Sequence, residues 1–121
     1  MKIAITSMGK NLEDKVDPRF GRCHFFIIFD TDSNQFEAIE NTNAQGMGGV
    51  GIQSGQMMAD KGIQTVLTGN CGPNAFQTLN AAGIEIIAGV SGTIQEAIDK
   101  FKSGEYKKIS GANTSAHSGM K

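Results

Sequence analysis

A short internal echo does most to limit what this chain can fold into. Gly62-Ile63-Gln64-Thr65-Val66 and Gly83-Ile84-Glu85-Ile86-Ile87 repeat one order, a glycine followed by an apolar, β-branched run. Each reads as a helix stop leading into a parallel strand. Helices alternating with such strands point to α/β winding, in which crossovers return the chain to the same end of a sheet. Between and after the two strands the period changes to that of a helix. Ala75, Phe76, Leu79 and Ala82 share one face of a helix expected over residues 73–82, and Ile94, Ala97, Ile98 and Phe101 follow i, i+3, i+4, i+7 spacing. Thr93 with Glu96 has capping-box spacing, Pro73 stands where a first-turn proline is tolerated, and Gly104 closes the last helix.

The first half reads differently. Residues 2–7 (KIAITS) form a short buried strand, and a polar loop follows with Asp17-Pro18 and Gly21 as breakers. Residues 24–30 (HFFIIFD) are continuously apolar and aromatic, as in a strand covered on both faces. A turn then leads to the alternating FEAIEN of residues 36–41, which makes a hairpin. The glycine-dense loop 43–51 precedes a helix running to about Lys61. The expected unit is one domain over residues 1–110, with residues 111–121 a mobile tail of almost no apolar content.

If the first strand runs upward, the hairpin turn lies at the bottom and four loops gather at the top. They are residues 7–23, 42–51, 69–74 and 89–93, and three helix N-termini point the same way. Open α/β sheets take ligands at the carboxyl ends of their parallel strands, where helix N-termini favour anions.

Composition removes several function classes. The net charge of −1 lacks the Lys/Arg surplus with which nucleic-acid binders replace counterions, and no apolar run reaches the ~20 residues of a membrane span. Two cysteines do not make a secreted disulfide framework, and no secretory leader is visible, so the expected compartment is the cytoplasm with reduced thiols.

Several residues in the top loops carry possible chemistry. Cys23, His24 and Cys71 are soft-metal ligand types placed in two different loops, and the glycines beside Cys71, Gly72 among them, leave room for a bulky cluster. Each thiol reads equally as a small buried hydrophobe, and His24 as a hydrogen-bonded residue at a strand edge. Cys71, where a strand ends and a helix begins, is expected to have its thiol pKa lowered by the helix dipole. Arg19 and Arg22 flank Phe20-Gly21 and can add forked hydrogen bonds to an anion, or else are solvated surface. Gly46-Met47-Gly48-Gly49-Val50-Gly51 fits G-x-G-x-x-G formally. No acidic residue follows at ribose-binding distance, so Gly48 and Gly49 are read as backbone N–H donors to an anion or as a tight approach to the helix. Catalytic groups do not assemble. Asp30 and Asp32 fall at the hairpin end, and Glu13, Asp14 and Asp17 lie in a flexible loop without an obvious partner.

KIAITS, RFGRCHFFIIFD, GNCGPNAFQTLNAAGIEI and GTIQEAIDKFKSGE together resemble the dinitrogenase iron–molybdenum cofactor-binding domain family, over about residues 1–105. The resemblance implies a ribonuclease H-like motif, a three-layer α/β/α fold with a five-stranded mixed sheet. It implies a non-enzymatic protein that binds or carries an iron–molybdenum or other metal–sulfur cluster, with cluster donor or acceptor proteins as partners and cofactor biosynthesis as the setting. The family often has a His immediately before Phe-Gly, a suspected cofactor contact. Arg19 stands there in this chain, which leaves His24 or the cysteines to substitute. Two alternatives remain open beside cluster carriage: a metal-free interaction or regulatory module, and a nucleotide or small-anion binder.

Overall fold

The computed structural model describes residues 1–42 and 50–106. Five strands, β1 (Lys2–Ser7), β2 (Phe25–Asp30), β3 (Phe36–Glu40), β4 (Thr65–Leu67) and β5 (Glu85–Ile87), form one sheet in the order β3-β2-β1-β4-β5. Helix α1 (Val50–Asp60) joins β3 to β4, α2 (Pro73–Ala81) joins β4 to β5, and α3 (Ile94–Lys102) follows β5. β1 pairs antiparallel with β2 and parallel with β4, β2 pairs antiparallel with β3, and β4 pairs parallel with β5. This is the mixed five-stranded sheet of the ribonuclease H-like motif.

Side-chain alternation along the strands divides the interior in two. Ile3, Ile5, Ile27, Phe29, Leu67 and Ile87 pack with Ile94, Ala97 and Ile98 of α3. Ala4, Phe26, Ile28, Val66 and Ile86 face the other way, against Met58 of α1 and Ala75 and Leu79 of α2. The sheet is therefore covered on both faces, which is why β1 and β2 read as unbroken apolar runs. α1 and α2 meet closely at Gly55, where a Cβ would stand 2.7 Å from the Thr78 Cγ2.

The expected elements are present with shorter ends. β4 and β5 keep three ladder residues each, where residues 63–68 and 84–88 were expected, because Ile63 and Ile84 are spent on helix-closing bonds to Met58 and Leu79. α1 begins at Val50, inside the segment expected as loop. Gly62, Gly83 and Gly104 take left-handed φ of 74°, 77° and 78° after the three helices, as their positions required. The tail expected from residue 111 lies outside the described residues.

The lower end of the sheet is tied by polar contacts. Asn34 turns the β2–β3 hairpin with φ 61°, and the Lys102 Nζ donates to its Oδ1 at 2.8 Å. The Met1 amine donates to Asp32 Oδ2 at 2.8 Å.

Candidate functional site

At the upper end, residues 8–24 form a strap bonded to the other loops rather than a flexible loop. Short bridges join Ser7 to Val16, Lys15 to Thr93 and Arg19 to Asn70. The Met8 N–H donates to Lys15 O at 3.0 Å, Val16 N–H to Gly92 O at 2.9 Å, and Asp17 N–H to Thr6 O at 2.9 Å. The strap reaches the β4–α2 loop through Gly69, where a Cβ would stand 2.7 Å from Pro18 Cα. Only glycine permits that approach.

Along the strap, buried and exposed residues alternate in a way that fixes the cationic ones. Phe20 is buried with its ring 5.7 Å from that of Phe26, and Cys23 is buried, while Arg19, Arg22 and His24 are exposed. Asn41, a residue the sequence reading passed over, holds the turn between them. Its Nδ2 donates to Gly21 O at 3.0 Å and Cys23 O at 2.9 Å.

Asp17 corrects the sequence reading. It is completely buried and has a partner. Its Oδ1 accepts from the Arg19 N–H at 3.0 Å and from Arg19 Nε at 3.3 Å. The Thr6 hydroxyl donates to Asp17 O at 2.6 Å and lies 2.9 Å from the Thr68 hydroxyl. A carboxylate in a polar loop reads as solvated; the Asp-x-Arg spacing, which suits a side-chain-to-backbone turn, was the one available signal.

The helix N-termini do not contribute equally. The start of α3 is closed: Thr93 and Glu96 form both halves of a capping box, and the N–H groups of Ile94 and Gln95 donate to Asp14 O and Leu12 O, both at 2.9 Å. α2 is different. Its N-cap Gly72 makes no side-chain capping bond and Pro73 opens the helix, so the N–H groups of Asn74 and Ala75 have no intrahelical acceptor. Gly48 and Gly49, before α1, lie outside the described residues.

Both cysteines are fully buried in the core beneath α1 and α2 and form no disulfide. Burial pushes the Cys71 thiol up to about 12. Burial, then the negative charge of Asp17, pushes Cys23 up to about 12. The expectation of a lowered Cys71 pKa is overturned: desolvation outweighs the helix dipole. Among the described residues, no three His, Cys, Asp or Glu side chains are grouped so as to hold a metal ion. A cavity of about 290 Å³ exists at the opposite, hairpin end, between Lys2, Asp30, Phe36 and Glu37; it lies away from the strap, and its carboxylates outnumber its lysine.

The arrangement defines an α/β domain whose loop edge brings Arg19 to the approach to α2, a helix start without a side-chain cap. The chain belongs to the family described as dinitrogenase iron–molybdenum cofactor, which matches residues 1–104. It is 33% identical to an uncharacterized protein of Methanocaldococcus jannaschii over 112 residues, 90% of this chain and 92% of that one. Its structure is similar to the apo form of the orange protein from Desulfovibrio gigas, with TM-score 0.90 and 36% identity over 93% of this chain and 95% of the other. It is also similar to a NifB-like protein from Thermotoga, with TM-score 0.78 and 42% identity over 88% and 91% of the two chains. No helix among the described residues is long and apolar enough to cross a membrane.

Proposed function

We propose that this protein binds and carries an anionic metal–sulfur cluster of the iron–molybdenum type at its loop edge, without turning it over. The observation that carries the reading is the meeting of the Arg19 strap with the uncapped start of α2, joined through the Arg19–Asn70 bridge. Family membership supplies the cargo class. Guanidinium groups and free N–H donors suit a thiometallate, whose negative charge is spread over several sulfur atoms. Arg19, Arg22 and the backbone around Gly72 hold the cargo by charge and hydrogen bonds. Exposed His24 is the nearest candidate for a direct metal contact, ahead of Cys23 and Cys71, which must leave the core and lose a proton to ligate. Cluster donor and acceptor proteins in a cytoplasmic cofactor-assembly route are the partners this reading implies.

The test is anaerobic addition of tetrathiomolybdate, and separately of an iron–sulfur cluster, followed by amide chemical shifts. Perturbation of residues 19–24 and 69–74 is the expected result. Shifts confined to the hairpin around Asp32 defeat the proposal. A metal-free interaction module is the second reading, favoured by the burial of both thiols; protein with no metal or sulfide after anaerobic purification, and no response to either probe, selects it.

A further inference from the structure

Asp17 has a feature that fold stability does not account for. Its Oδ2 is buried and has no hydrogen-bond partner among the described residues, and an unsatisfied acceptor in the interior weakens a fold. The value of the carboxylate therefore lies in what Oδ1 holds. Resting on the reading of the loop edge as an anion site, we propose that Asp17 is a positioning residue whose buried carboxylate grips the Nε side of Arg19, so that the guanidinium meets the anion end-on with its two terminal amino groups.

Three observations support this. First, Oδ1 grips the backbone N–H and the Nε of the same residue, at 3.0 and 3.3 Å, which closes a ring and restricts the Arg19 side chain. Second, Asp17 is itself anchored from both sides of its peptide, by Thr6 O and the Thr6 hydroxyl. Third, the backbone around Arg19 is tied to the approach to α2: Asn70 N–H donates to Pro18 O at 2.6 Å and Phe20 N–H to Asn70 O at 3.1 Å. The Arg19 side chain remains 56% exposed, and no other described side chain takes its amino groups. An arginine held at Nε has its orientation fixed before the ligand arrives, and less freedom is lost on binding. Such an arginine offers an end-on pair of donors, which suits two adjacent atoms of a tetrahedral anion.

A double-mutant cycle tests the role, with tetrathiomolybdate as probe and affinity read from its visible absorption. Asp17→Asn keeps the shape and removes the charge; Arg19→Gln removes the guanidinium. The expected result is that Asp17→Asn weakens binding roughly threefold to fivefold in the natural background, the scale of a half-exposed ion pair, and has no effect once Arg19 is Gln. Equal weakening in both backgrounds means Asp17 acts only through the fold, and overturns the proposal. Weakening by Arg19→Gln alone, with Asp17→Asn silent, also overturns it and leaves the anion site intact. No binding by the unmutated protein removes the anion site itself, and the proposal with it. Should Asp17→Asn fail to fold, exchange of the Arg19 Nε proton in the unmutated protein decides. Slow exchange both free and loaded supports the grip; fast exchange in either state defeats it.

Discussion

Cys71 lies between two opposing influences, and their sizes decide the outcome. A helix N-terminus stabilises a nearby anion by about 0.3–1 kcal/mol, less than one pKa unit. Burial pushes the thiol up to about 12, a larger change in the other direction. Cys23 shifts in the same sense, with Asp17 adding to burial. The linkage has a definite sign. A folded thiol that keeps its proton while the unfolded one loses it favours the unfolded state as pH rises, so stability falls from about pH 9 toward 12. Urea titrations of the wild type and of a double Cys→Ala variant should diverge in that window, the wild type losing more. Under native conditions at pH 7.5, a thiol-reactive dye should label the folded protein far more slowly than the unfolded chain. Rapid labelling would show the thiols to be accessible and would return them to the candidates for metal contact. Sequence placed both cysteines near the loop edge correctly, but position in a chain does not report depth.

Elements were legible where local chemistry specifies them. The capping box at Thr93, the proline at the start of α2 and the glycines after each helix announced themselves through residue type and spacing. The strap was not legible, because its bonds join backbone groups distant in sequence: Val16 to Gly92, Ile94 to Asp14, Phe20 to Asn70. No side-chain pattern encodes such pairs. The one trace was Gly69, whose lack of a Cβ admits Pro18. Gly69→Ala should therefore destabilise the protein by about 1–3 kcal/mol, as overpacking does, and also weaken anion binding by moving Arg19. Thr93→Ala should lower stability by about 1 kcal/mol through loss of the cap while leaving anion affinity unchanged. Chemical denaturation combined with tetrathiomolybdate titration separates the two. If both variants lose affinity alike, general loosening rather than strap geometry governs the edge.

At the scale of the whole molecule, a net charge of −1 supplies no broad field to draw in an anion. Attraction has to come from the edge itself. Affinity for tetrathiomolybdate should fall as salt rises, and an Arg19→Gln, Arg22→Gln pair should flatten that dependence; an unchanged slope would place the charge elsewhere. Saturating ligand should raise the melting temperature, with about 2.7 kcal/mol of added stability at a hundred times Kd. The fold was legible at this scale because an antiparallel hairpin beside a right-handed α/β winding leaves few strand orders open. Both Met1 and the end of α3 are fastened to the β2–β3 turn, at the pole opposite the strap. A tether attached near either of these points would leave the arginine-bearing pole facing outward.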